Sequence, residues 1–262
     1  MTNETFIRLG VFLLAFLVFA SWESLAPRRP LNCVRSRRWL ANVGLSLINQ
    51  LALRLFFPVL AVALAAFVQQ RGWGLFNILK VPDTLAVLVC FLLLDLAIYV
   101  QHIVFHRIES LWRLHRVHHT DLDFDVTTAI RFHPVEIILS MLIKMVLVVL
   151  LGAPPLAVLI FEVVLNLTAL FNHSNIHIPL PLDRVLRWGV VTPDMHRVHH
   201  SAVPVETDSN FGFNLPWWDY LFKTYRAQPE KGHTEMIVGL HEFRNEQKLA
   251  LPDLLLLPFR RP

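Results

Sequence analysis

The chain has little of what several functional classes require. Only two cysteines, Cys33 and Cys90, occur in 262 residues, one in a basic loop and the other in an apolar run. That spacing argues against a disulfide framework or a thiolate metal site, and both are expected to be free, inert thiols. Charged residues make up only 17% of the chain, against 55% hydrophobic residues and a mean hydropathy of +0.49. An ordinary soluble domain is far less apolar. The formal charge of +4 does not come from a basic patch interleaved with aromatics, so nucleic-acid binding is not expected. The arginines flank apolar runs instead, as the cationic loops of membrane proteins do. No repeat, low-complexity tract or linker divides the sequence. A single domain is expected over residues 1–262, with N-terminal membrane helices over 1–92, a histidine-bearing region over 93–225 and a C-terminal tail over 226–262.

What the chain has in quantity is long apolar segments. They run over Phe6–Leu25, Trp39–Val68 and Pro82–Phe105, and a shorter pair over Val135–Leu151 and Pro155–Phe171 flanks Gly152-Ala153-Pro154-Pro155. A spanning helix needs about 20 residues, so the first three qualify and the last two read as a helical hairpin that crosses and returns or dips partway. The first segment lacks a basic leader and a small-residue cleavage site, so it is expected to be a retained membrane helix. Arg28, Arg29, Arg35, Arg37 and Arg38 crowd the first loop, whereas the second holds only Arg71 and Lys80. The positive-inside rule then places the first loop in the cytoplasm. Lys144 and Glu162 lie nine residues either side of the hairpin centre near Ala153. They are expected to face each other, because an unpaired charge in hydrocarbon is costly. Trp217 and Trp218 are read as anchors at the bilayer interface.

The thirteen histidines are concentrated. Ten form four clusters: His102-x3-His106, His115-x2-His118-His119, His173-x3-His177 and His196-x2-His199-His200. Spacings of three and four return side chains to one helix face, so each cluster can aim imidazoles at one point. With the topology above, all four fall on the cytoplasmic side. Ten imidazoles are too many for one ion and suit two. The expected fold is therefore an all-α, multi-pass membrane helical bundle with a cytoplasmic helical cap carrying a histidine-rich dinuclear metal site.

Ligand type alone leaves zinc, copper, iron and nickel open. A catalytic zinc site needs about three protein ligands, and soluble di-iron bundles use Glu and Glu-x-x-His ligands that this chain does not supply as a set. Two iron ions with O2 as co-substrate fit better, generating an oxidant for an unactivated C–H bond; zinc is the substitute to consider. Asp95, seven residues before His102, and Asp194, two before His196, are candidates to hold ligating histidines through their second N–H. His133 is an outer or weak ligand candidate, and Asn172 is another through its amide. His233 and His241 lie outside the clusters and are expected to be exposed.

At these residues the chain resembles the fatty acid hydroxylase superfamily, the sterol desaturase-like integral-membrane di-metal oxygenases. The likeness runs from about Leu93 to Tyr225, and the clusters carry it within longer motifs. These are Asp95-x6-His102-x3-His106-Arg107, Leu114-His115-x2-His118-His119, Thr127-Thr128-x2-Arg131-x-His133-Pro134, Asn172-His173-x3-His177 and Thr192-Pro193-x2-His196-x2-His199-His200. Asn210-Phe211-Gly212 and Trp218-Asp219-x2-Phe222-Lys223-Thr224-Tyr225 complete the set. The resemblance implies that His102, His106, His115, His118, His119, His173, His177, His196, His199 and His200 are the metal ligands. Lys223 stands where similar sequences usually have glycine, which touches a turn rather than the metal.

The implied activity is O2-dependent hydroxylation of a membrane lipid such as a sterol, fatty acyl or ether lipid. Desaturation at the same site is the alternative; a zinc-dependent membrane hydrolase or a metal carrier is the reading from another class. No His-Pro-Gly-Gly haem signature, flavin fingerprint or cysteine cluster is present, so electrons must come from an external reductase, ferredoxin or cytochrome b5-like carrier. The compact chain without an evident retention signal points to a bacterial inner membrane, with the endoplasmic reticulum as the alternative.

Overall fold

The structure, a computed structural model, describes residues 2–57 and 59–260, with side chains from residue 6 onward. The chain is built of helices: α1 (Thr2–Leu25), α2 (Arg35–Phe56), α3 (Ala61–Gln70), α4 (Leu75–Ile78), α5 (Asp83–Arg107), α6 (Glu109–His119), α7 (Pro134–Leu151), α8 (Pro155–Asn172), α9 (Leu180–Leu186) and α10 (Pro193–His199). Shorter helical turns complete the C-terminal part, and a 3-10 turn over Val126–Ile130 joins α6 to α7. Among the described residues there is no strand, only isolated antiparallel bridges at Pro27–Ile176 and Ser201–Val238.

Five segments are long and apolar enough to cross a membrane: Phe6–Leu25, Arg35–Ile78, Asp83–Arg107, Pro134–Leu151 and Pro155–Asn172. Their surfaces are inside-out by the standards of a soluble protein. Leu14 and Leu17 on α1, Leu47 and Leu55 on α2, Leu88 on α5 and Leu150 on α7 are all exposed. So large an apolar exterior calls for lipid as solvent. The second apolar run is not one helix. It breaks at Phe57, whose φ of −127° and ψ of 81° leave the helical region. Pro58 follows it in sequence, and the residue before a proline is driven out of the α conformation.

The hairpin expected around Gly152 is present. Pro134 and Pro155 occupy first turns of α7 and α8, where their missing N–H costs nothing, and Gly152 closes α7 in the left-handed conformation, with φ +67°. Gly74, with φ +85°, packs so closely on it that a Cβ there would lie 2.1 Å from the Gly152 nitrogen. Lys144 and Glu162 do meet across the hairpin, and Arg8 of α1 joins the same carboxylate. The apolar core of Ala65, Cys90, Leu94, Val148, Val158 and Phe161 fills the space between α3, α5, α7 and α8. The two cysteines are free. At one end of this bundle the C-terminal ends of α5 and α8 and the N-terminal end of α7 come together beneath α6 and α10, and the histidines gather there.

Candidate metal centre

α5 ends with His102 and His106, a turn apart on one face, and α6 starts two residues after Arg107, carrying His115, His118 and His119 back over them. Thr192 caps α10 by accepting from the Met195 N–H, and Pro193 sits in its first turn; the short helix so fixed presents His196 and His199, with His200 just beyond its end. The outcome is two contiguous groups: His102, His106, His115, His119 and His199 in one, His118, His173, His196 and His200 in the other. Within each, the available ring nitrogens all lie within 4.8 Å of one another. The ring centroids of His119 and His200, one from each group, are 4.7 Å apart.

The tautomers follow from the outer hydrogen bonds. His102 Nδ1 donates to the Phe211 carbonyl at 2.9 Å, and His115 Nδ1 donates to Glu136 Oε1 at 2.6 Å. Both Nε2 atoms are then bare lone pairs, yet they face each other at 3.1 Å. The same holds in the second group. His118 and His173 donate their Nδ1 protons to the carbonyls of Arg131 and Ala169, at 3.2 and 2.8 Å, and their Nε2 atoms stand 3.1 Å apart. Two lone pairs held so close repel unless a cation lies between them. Two imidazoles at right angles on one ion, with metal–nitrogen bonds of about 2.0–2.1 Å, place their nitrogens about 3 Å apart. Further buried nitrogens, His106 Nε2, His199 Nε2 and both of His200, have no hydrogen-bond partner. Burial also keeps these rings neutral, the form that binds metal. It pushes His118, His119, His196 and His200 well below the usual imidazole value, with neighbouring histidines adding to it. It pushes His173 and His199 down to about 3. The residues therefore fit two metal ions.

Several sequence-singled residues lie elsewhere. His177 is exposed and outside both groups, because α8 stops at Asn172 and the chain beyond is extended, so a spacing of four no longer returns to one face. Asp95 reaches no histidine: seven residues along α5 is about 10 Å, and its carboxylate accepts from the Trp218 indole at 2.8 Å. Asp194 is taken up by Arg28, Arg197 and His233. His133 caps α7, its Nδ1 accepting from the Val135 N–H while Nε2 donates to the Leu255 carbonyl at 3.2 Å. Asn172 donates to the Phe213 carbonyl at 2.9 Å and joins neither group. His233 is buried, not exposed as expected, against the Asp194 cluster; His241 is exposed.

Two carboxylates that the sequence reading missed take the place assigned to Asp95 and Asp194. Glu136 holds His115, and Asp208 Oδ1 accepts from His106 Nδ1 at 3.2 Å. The loop arginines are also largely committed to the protein. Arg28 binds Asp194, Arg29 binds the carbonyls of His233 and Met236, Arg35 binds Glu23, and Arg38 binds Asp121 and Asp125. Of the five that oriented the topology, only Arg37 is an exposed, uncommitted charge. Lys223 has φ +60°, a left-handed turn in which glycine carries no penalty. Lys223→Gly is expected to raise stability by about 1 kcal/mol, read as a higher melting temperature in detergent with unchanged metal content.

Beside the five-histidine group, an apolar groove of about 600 Å³ opens between α5 and α7, lined by Leu96, Ala97, Val100, Leu139 and Ile143 and bounded by Phe105 and Leu111. The Phe105 ring is 6.1 Å from that of His115, which brings the groove up to the metal centre.

A membrane helical bundle with buried histidine groups that could hold metal ions is the class the fold and site define. Residues 87–224, just over half the chain, match the fatty acid hydroxylase family, and the chain belongs to it. Ornithine lipid hydroxylase OlsE of Rhizobium tropici is 31% identical over 156 residues, 59% of this chain and 46% of that protein. Human alkylglycerol monooxygenase is 31% identical over 145 residues, 54% of this chain and 31% of that protein. Human cholesterol 25-hydroxylase is 30% identical over 147 residues, 54% of this chain and 51% of that protein. The chain thus spans about a third to a half of the length of these relatives. No solved structure matches it.

Proposed function

We propose that the protein is a di-iron, O2-dependent hydroxylase of a membrane lipid. The facing Nε2 lone pairs of His102 with His115 and of His118 with His173 carry this reading, because a cation beside each pair would relieve their repulsion in the buried pocket. Two bound iron ions supply reductive activation of O2 for attack on a C–H bond. The side chains do the rest. Nine histidines hold the ions: His102, His106, His115, His119 and His199 one, His118, His173, His196 and His200 the other. The groove between α5 and α7 receives the apolar part of the substrate directly from the bilayer, and Phe105 sets how far it advances toward His115. Burial of the whole constellation excludes water, which protects a reactive oxidant from side reactions.

The relatives are named as hydroxylases and monooxygenases of ornithine lipid, alkylglycerol and cholesterol, which favours hydroxylation over desaturation, and lipids over soluble substrates. A metal carrier would need ligands strung along a path through the bilayer, whereas these are gathered at one end of it. Electrons come from a separate carrier, and the histidine end faces the cytoplasm where such a carrier is available.

The test uses iron-loaded protein in detergent with a reductase system, extracted membrane lipids and isotopically labelled O2. Label appearing in a lipid hydroxyl supports the reading; a protein with full iron and reduced carrier that labels no lipid contradicts it. Within the same assay, Ala97→Trp, which fills the groove, is expected to lower turnover by up to about 100-fold by misplacing the substrate, with iron content unchanged.

A further inference from the structure

The two halves of the centre differ in what holds their histidines from outside. In the five-histidine group, His115 Nδ1 donates to Glu136 at 2.6 Å and His106 Nδ1 donates to Asp208 at 3.2 Å. In the four-histidine group, no carboxylate reaches a ring nitrogen among the described residues. His118 and His173 donate to backbone carbonyls there, and His196 Nδ1 and both nitrogens of His200 have no partner.

Of the two carboxylates, Glu136 has much the larger electrostatic reach. Its side chain and that of His115 are each 5% exposed, whereas the Asp208 side chain is 47% exposed and screened by water. Among the described residues no lysine or arginine pairs with Glu136, and its Oε2 is buried without any hydrogen-bond partner. A buried carboxylate whose one side-chain partner is an imidazole is costly, unless positive charge sits on the far side of that imidazole. His115 Nε2 points into the five-histidine group, so a cation there would supply it. Sequence gives the same residue a particular place. Glu136 is in the first turn of α7, two residues after Pro134, where the helix dipole favours a negative charge. Residues Leu139, Ile143 and Leu147 follow it at helical spacing along the groove wall.

We infer that Glu136 is a positioning residue that makes the two metal positions unequal. By accepting the His115 Nδ1 proton it fixes the tautomer that offers Nε2. By leaving its second oxygen uncompensated, it adds negative charge to the five-histidine position alone. That position binds a divalent ion more tightly than the four-histidine position. This deepens the dinuclear reading and rests on it.

The experiment is a cobalt(II) titration of metal-stripped, detergent-purified full-length protein, followed by visible absorption, for the wild type, Glu136→Gln and Glu136→Asp. The wild type is expected to bind two cobalt ions in two resolved steps. In Glu136→Gln, which keeps the shape and still accepts the His115 proton through its amide carbonyl but loses the charge, the tighter step weakens by about 10–100-fold, the usual cost of mutating a ligand's outer partner. The weaker step and its spectrum stay put, and Glu136→Asp recovers part of the loss. A merely structural role would shift both steps together or neither. Two wild-type steps of equal affinity, or a Glu136→Gln variant in which both steps move alike or neither moves, overturn the inference and leave the two-ion centre standing. A wild type that takes up fewer than two cobalt ions overturns the dinuclear reading, and the inference with it.

Discussion

Arg38→Met is expected to destabilise the fold by about 3–5 kcal/mol, as removal of one partner from a buried ion pair does. The Arg38 guanidinium, near the start of α2, grips Asp121 with Nε at 2.6 Å and Nη2 at 2.9 Å, and reaches Asp125 with Nη1 at 2.7 Å. Both carboxylates are fully buried. Asp121 is held well below the usual carboxylate range by Arg38 and Arg131, despite burial that works the other way. Arg131, pushed down to about 10 by burial, donates to the Val117 carbonyl, Asn42 Oδ1 and Thr120 Oγ1 at 2.8–2.9 Å. The network therefore ties α2 to the end of α6 that carries His118 and His119. Methionine would leave Asp121 with Arg131 as its nearby cation, and Asp125 without the ion pair it makes with Arg38, in a buried site. Thermal unfolding in detergent should show a large loss of stability for Arg38→Met, with metal content falling alongside it. A change below about 1 kcal/mol would mean that water reaches the network.

The second large effect is on chemistry. His118→Ala/His199→Ala takes one imidazole from each metal position, and catalysis should drop by more than about 100-fold, since even an outer hydrogen-bond partner costs 10–100-fold. Metal should be lost from the purified double variant, while far-UV circular dichroism reports the same helix content. Activity retained without metal would dissociate the histidines from catalysis.

Much of this was legible in the sequence, for reasons tied to helices. His102/His106 and His196/His199 lie on helices, as do His115, His118 and His119 on α6, so spacing predicts their convergence. Lys144 and Glu162 follow from the symmetry of a hairpin around Gly152. His177 stands outside both groups because the spacing argument holds only while the helix lasts, and α8 ends at Asn172. The break after Phe56 was a local matter of Phe57 and Pro58 that an average over a long apolar run conceals. Glu136 is separated from His115 by 21 positions, so no local period connects them. Its one signal was a carboxylate standing alone in an apolar span just after His133-Pro134. Orientation suffered from the opposite problem. The arginines near Arg28 and Arg38 have a structural use, so counting them as loop charges overweights them.

The most direct measurement of the central claim is iron content with Mössbauer spectroscopy of detergent-purified protein from iron-replete cells. Two iron ions per chain, magnetically coupled, are predicted by the pairing of the five- and four-histidine groups. A single uncoupled ion, or a protein that folds fully with no metal at all, would contradict it.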